Sequence, residues 1–156
     1  MRGSLAGERL KLFDKGSTSR VAWKSAQSAS AEPATWYRTS FTTPAGVADG
    51  TKGTQLLLNV DGLQRGRIWL NGHEIGRYWT LQRNDGSACP FGKTACPTQQ
   101  FYHLPASWLS EPGESNHLVL FEVLGAVQLG KVGLATAKMQ PGMHQVDPTK
   151  VASCEF

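Results

Sequence analysis

Short apolar runs separated by turn residues recur along this chain, and the three-and-four spacing of an amphipathic helix is nearly absent. That pattern predicts an all-β sandwich. Residues 9–13 alternate, with Leu10 and Leu12 on one side, and read as a first strand closed by Asp14-Lys15-Gly16; residues 21–23 read as a second, short one. The Ala/Ser-rich stretch 25–33 has helical propensity but no apolar stripe to bury, so it reads as loop. Residues 35–42 form a strand with Tyr37, Thr39 and Phe41 on one face and Trp36 and Arg38 on the other. Residues 55–60 are apolar on both faces, as a central strand covered on each side would be. Beyond a long loop, 83–98, strands are predicted at 99–104, 117–124 and 132–138, with a bend at 105–109 in which Trp108 enters the core. The sandwich domain covers 1–139, and from 140 to 156 the pattern dissolves into a tail.

The chain is organised around residues 66–79. An Asn-Gly pair between two short apolar runs is the strongest local hairpin signal, since both central positions of a type I′ turn need positive φ. Asn71 and Gly72 are therefore the predicted turn, with Leu70 opposite His73, Trp69 opposite Glu74 and Ile68 opposite Ile75. Period two then puts Ile68, Leu70, His73 and Ile75 on a core face. Arg67, Trp69 and Glu74 fall on the other, an aromatic beside charges, as on a surface that meets a partner or ligand.

At 156 residues the chain suits one domain and is too short for a (β/α)₈ barrel, which needs about 200 residues. Its 40% hydrophobic and 18% charged residues are globular values. A net charge of +4, without basic runs interleaved with aromatics, argues against nucleic-acid binding. No apolar stretch approaches the ~20 residues of a membrane helix, and the N-terminus lacks the apolar core of a signal peptide.

Several blocks carry a family resemblance. Residues 66–79, with Trp69, Asn71-Gly72 and Ile75-Gly76-Arg77-Tyr78-Trp79, resemble the Trp-x-Asn-Gly-x-x-Ile-Gly-Arg-Tyr-Trp signature of family-35 glycoside hydrolases, the β-galactosidases, particularly those of plant type. Leu5-Ala6-Gly7-Glu8-Arg9-Leu10 and the run from Pro33 through Trp36-Tyr37-Arg38 to Pro44-Ala45-Gly46 are similar to earlier blocks of that family. Pro97 through Tyr102-His103-Leu104-Pro105 to Trp108-Leu109, and Asn116-His117-Leu118-Val119-Leu120-Phe121-Glu122, are similar to later ones. The blocks occur in order over roughly residues 5–124. The resemblance implies a galactose-binding-like jelly roll near the C-terminus of a parent enzyme whose catalytic carboxylates lie in a separate upstream barrel. Met1 is accordingly expected to be a start inside a longer protein, one that follows the secretory route to the cell exterior, cell wall, vacuole or lysosome.

The residues themselves offer little catalytic chemistry. Glycosidases need two facing carboxyls, and Glu8, Glu74 and Glu122, the acidic residues nearest predicted strands, show no pairing; Glu122 reads as structural, paired with an arginine. His73, His103, His117 and His144 lack metal-ligand spacing, and there is no nucleophile or phosphate-loop motif. Asp14 with Ser17, and Asp49, are too sparse in oxygens for calcium, so neither metal nor cofactor is expected. Cys89 and Cys96 bracket a short loop. Zinc would want four ligands, which this pair and a remote Cys154 do not supply, so a Cys89–Cys96 disulfide is expected, with an oxidising compartment.

Two functions stand against each other. In the first, the chain is a non-catalytic sandwich that packs against or assists the parent's catalytic barrel. In the second, it is a galactose-type binding module, lectin-like, with Trp69, Arg77, Tyr78, Trp79, Gln99 and Tyr102 as the candidate sugar contacts, because aromatic rings stack on the C–H faces of sugars. Trp23, Trp36 and Trp108 read as core packing.

Overall fold

The computed structural model describes residues 4–19, 21–25, 32–47, 53–80, 99–125, 128–138 and 149–153. Two four-stranded antiparallel sheets face one another. One has the order β1-β6-β3-β4, with β1 Thr35–Thr42, β3 Arg65–Leu70, β4 His73–Trp79 and β6 Ser115–Glu122. The other has the order β5-β2-β7-β8, with β2 Thr54–Asn59, β5 Phe101–Leu104, β7 Gly133–Lys138 and β8 Thr149–Ser153. The expected sandwich is present, and β2 lies centrally between β5 and β7.

Period two sorts the side chains into three layers. Between the sheets, Tyr37, Ile68, Leu70, Tyr78, Leu118 and Leu120 meet Leu56, Leu58, Tyr102, Leu104 and Leu134. Outside the second sheet, Leu57, Ala135 and Ala137 pack with Phe101. Outside the first sheet, Trp36, Trp69, Val119 and Phe121 are covered by Leu12, with Leu10, Phe13, Val21 and Trp23 against them. This second covering layer explains why β6 is apolar on both faces.

That cover is also where the sequence pattern misleads. Residues 9–13 are not a strand: a short helix α1, Ser4–Arg9, ends in turns in which Leu10 N–H bonds Ala6 O and Leu12 N–H bonds Gly7 O. The Leu10/Leu12 alternation reflects packing of one turn onto the aromatic face, without a partner strand to pair with. Residues 21–23 likewise form no strand. In the segment expected to be a tail, Thr149–Ser153 pairs with β7, whose edge would otherwise leave a row of backbone groups unbonded. The stretch 26–31, most of the long loop after β4, Asp49 and all three cysteines lie outside the described residues.

The hairpin turns at Asn71 (φ 49°) and Gly72 (φ 88°), with Leu70 opposite His73 and Trp69 opposite Glu74, as expected. The register then slips: Ile68 faces Gly76, not Ile75, so Ile75 is the extra residue of a β-bulge. Gly76 holds φ 142°, a conformation open essentially to glycine alone. The bulge inverts the faces of the rest of β4. Uninterrupted alternation from Glu74 would turn Tyr78 outward; instead Tyr78 enters the core, while Arg77 and Trp79 are exposed.

Candidate functional site

Of the predicted sugar contacts, Trp69, Arg77 and Trp79 lie on the first sheet's outer face, Tyr78 in its core, Tyr102 on β5 and Gln99 just before β5. Trp69 is 3% exposed: its ring stacks at 5.5 Å on Phe13 and at 5.1 Å on Trp36, which in turn contacts Phe121 at 4.9 Å. The face expected to meet a partner is thus filled by the chain's own N-terminal segment. Tyr78 is 1% exposed and its hydroxyl donates to Glu122 Oε2 at 3.0 Å. Tyr102 is buried in the intersheet core, hydrogen-bonded to the backbone of Trp79. Burial raises the pKa of Tyr78 first, with the Glu122 charge adding to it, and burial likewise raises Tyr37 and Tyr102. Of the six, Arg77, Trp79 and Gln99 reach the surface.

Glu122 explains why the aromatic end of β4 is held so firmly. Fully buried, it accepts from Gln64 N–H (2.9 Å), Arg65 N–H (3.2 Å), Leu124 N–H (2.9 Å) and the Tyr78 hydroxyl. The arginine expected beside it is absent from this set; backbone donors and a phenol take its place. A carboxylate with both oxygens occupied in this way ties the entry of β3 to the exit of β6, and Gly66 is obligatory alongside, since a Cβ there would meet Phe121 O at 1.9 Å.

On the exposed side, Arg67 forms a fork on Glu74, Nε to Oε1 at 2.9 Å and Nη2 to Oε2 at 2.7 Å, while its Nη1 donates to Glu8 Oε1. Trp79, 53% exposed, carries the Arg65 guanidinium 4.8 Å from its ring centroid. Arg65 was missed by sequence reasoning. Its signal is positional: in the bulged register it stands directly opposite Trp79. Among the described residues no cluster of three or more His, Cys, Asp or Glu side chains is placed to hold a metal.

The all-β fold agrees with what the chain is similar to. The profile of the family described as "Beta-galactosidase, galactose-binding domain" matches residues 34–116, just over half the chain. A curated relative, "Beta-galactosidase 7" of Oryza sativa subsp. japonica, is 33% identical over 121 residues. That alignment covers 78% of this chain and 14% of the rice protein, so the chain spans a small part of the relative's length.

Proposed function

Because this chain belongs to the family of β-galactosidase galactose-binding domains, we propose that it is a non-catalytic jelly-roll domain of a β-galactosidase-like glycoside hydrolase, packing against the catalytic barrel of a longer parent. The observation that carries this reading is how the acidic side chains near the strands are used. Retaining glycosidases hold two carboxyls about 5 to 5.5 Å apart across an open cleft. Here Glu122 is buried under four donors, and Glu8 and Glu74 are both engaged by Arg67. The same reading places the parent on the secretory route, where a Cys89–Cys96 bridge would persist.

A second reading, galactose-type sugar binding, is favoured by one feature: Trp79 presents half its indole on an edge strand beside Arg77. The purified chain is expected to leave a chromogenic β-galactoside intact. Supplied in trans to a family β-galactosidase truncated before its C-terminal sandwich, it should bind and raise the thermal stability of the barrel. Failure to bind would remove the docking role, and turnover by the chain alone, abolished by changing a carboxylate pair, would overturn the non-catalytic assignment. Galactose binding, at roughly millimolar affinity or about −4 kcal/mol, with amide shifts centred on Arg77 and Trp79, would support the second reading.

A further inference from the structure

The outer face of the β3–β4 hairpin carries three arginines, Arg65 and Arg77 exposed and Arg67 partly covered, and its carboxylates are unevenly shared. Arg67 takes both Glu8 and Glu74. Arg77 stands directly opposite Arg67 in the register, an arrangement that costs stability when both charges are bare. With Arg67 compensated, the charge of that pair left without an acidic partner among the described residues is that of Arg77. One step along, Arg65 lies over Trp79. Neither Arg65 nor Arg77 has an acidic partner among the described residues.

The polar groups of Arg65, Arg77 and Trp79 are of one kind. A guanidinium offers five N–H donors and no acceptor, and the indole N–H is a donor only. A neutral hexose presents hydroxyls that must both give and receive hydrogen bonds, and these three side chains, all donors, meet only the receiving half of that capacity. A carboxylate accepts only, carries the opposite charge, and matches the planar fork of arginine. The half-exposed Trp79 ring adds a flat apolar surface of the sort that packs on the C–H face of a pyranose.

We propose that Arg65, Arg77 and Trp79 bind a carboxylate-bearing sugar, a uronic acid residue of a glycan, with the ring on Trp79 and the carboxylate held by the two guanidiniums. The assignment rests on the sugar-binding reading above and narrows it from galactose to its acidic class. Strands β3 and β4 fix the paired backbone from which all three side chains project.

The test is titration of the full chain with tri-galacturonate, with neutral galactotriose and with triglutamate, followed by tryptophan fluorescence and amide shifts. Tri-galacturonate should bind at least about tenfold more tightly than galactotriose, a difference of about 1.4 kcal/mol, and should weaken several-fold as salt rises from about 0.02 to 0.5 M, because exposed charge pairs are screened. Arg77→Gln and Trp79→Ala should each lose that preference with unchanged melting temperature, since both side chains are exposed. Equal affinity for the two sugars would overturn the acidic assignment and leave the sugar-binding reading standing. Absence of binding to either sugar would overturn both. Triglutamate binding as tightly as tri-galacturonate would overturn the sugar and leave a generic anion surface.

Discussion

The Asn71 side-chain amide donates to Asn116 Oδ1 at 2.9 Å and to Trp108 O at 2.7 Å, so the residue that makes the hairpin turn also ties it to the rest of the sandwich. Asn71 Oδ1 accepts from His117 N–H at 2.8 Å, and the fully buried Asn116 bonds onward to Ser110 N–H, Thr43 Oγ1 and Phe41 O. One amide pair thereby joins the hairpin tip, the start of β6, the bend after β5 and the end of β1.

Asn71→Gly separates the two roles, because glycine keeps the positive φ and removes the side chain. It should destabilise the domain by about 1 to 3 kcal/mol, because the His117 N–H and the Trp108 carbonyl lose their side-chain partner. Urea denaturation measures the loss; an unchanged midpoint would mean that the turn alone matters.

Gly76→Ala isolates the bulge. No atom lies within 4 Å of the position a Cβ would occupy, so the whole cost comes from forcing φ 142° on an L-residue. A loss of about 1 to 3 kcal/mol is expected. Wild-type thermal stability in this variant would show that the backbone there relaxes freely.

Stability should fall at both ends of the pH range. The raised pKa of buried Tyr78 means that the folded state keeps its proton longer than the unfolded chain does, so its contribution is complete below about pH 10 and is lost as pH climbs above that value. At the acid end, burial, then Arg38 and Lys15, lower the pKa of His117, whose Nε2 is buried without a hydrogen-bond partner among the described residues. Its contribution is complete above about pH 6.5 and is lost as the unfolded chain protonates first. Tyr78→Phe should flatten the alkaline limb of an unfolding titration, and His117→Leu the acid one.

Mass spectrometry of unreduced peptides should find Cys89 joined to Cys96 with Cys154 outside the bridge. A bridge closing that short loop would contribute roughly 2 to 3 kcal/mol on a chain-entropy basis. Free thiols at both positions in oxidised protein would remove the bridge.

Much of the architecture could be read from residue order because it depends on contacts along one strand or across one turn. The alternation of 35–42 sends Tyr37 and Phe41 to the intersheet core and Trp36 to the opposite face, and Asn71-Gly72 makes its turn by local φ preference alone. The family blocks were legible for the same reason, being runs of contiguous residues.

What only the tertiary structure decided depends on partners distant in sequence. Trp69 lies on the face its alternation predicts, yet whether that face meets solvent turns on Phe13, 56 positions earlier, folding over it. Tyr78 and Glu122 find each other across 44 positions, and they do so because one extra residue at Ile75 turns Tyr78 inward. A bulge leaves almost no mark in the hydrophobic pattern, since a strand of His-Glu-Ile-Gly-Arg-Tyr-Trp reads plausibly in either phase. The bulged register brings the Tyr78 hydroxyl to the buried Glu122 as a fourth donor beside three backbone N–H groups, and each donor offsets part of the cost of burying a polar group.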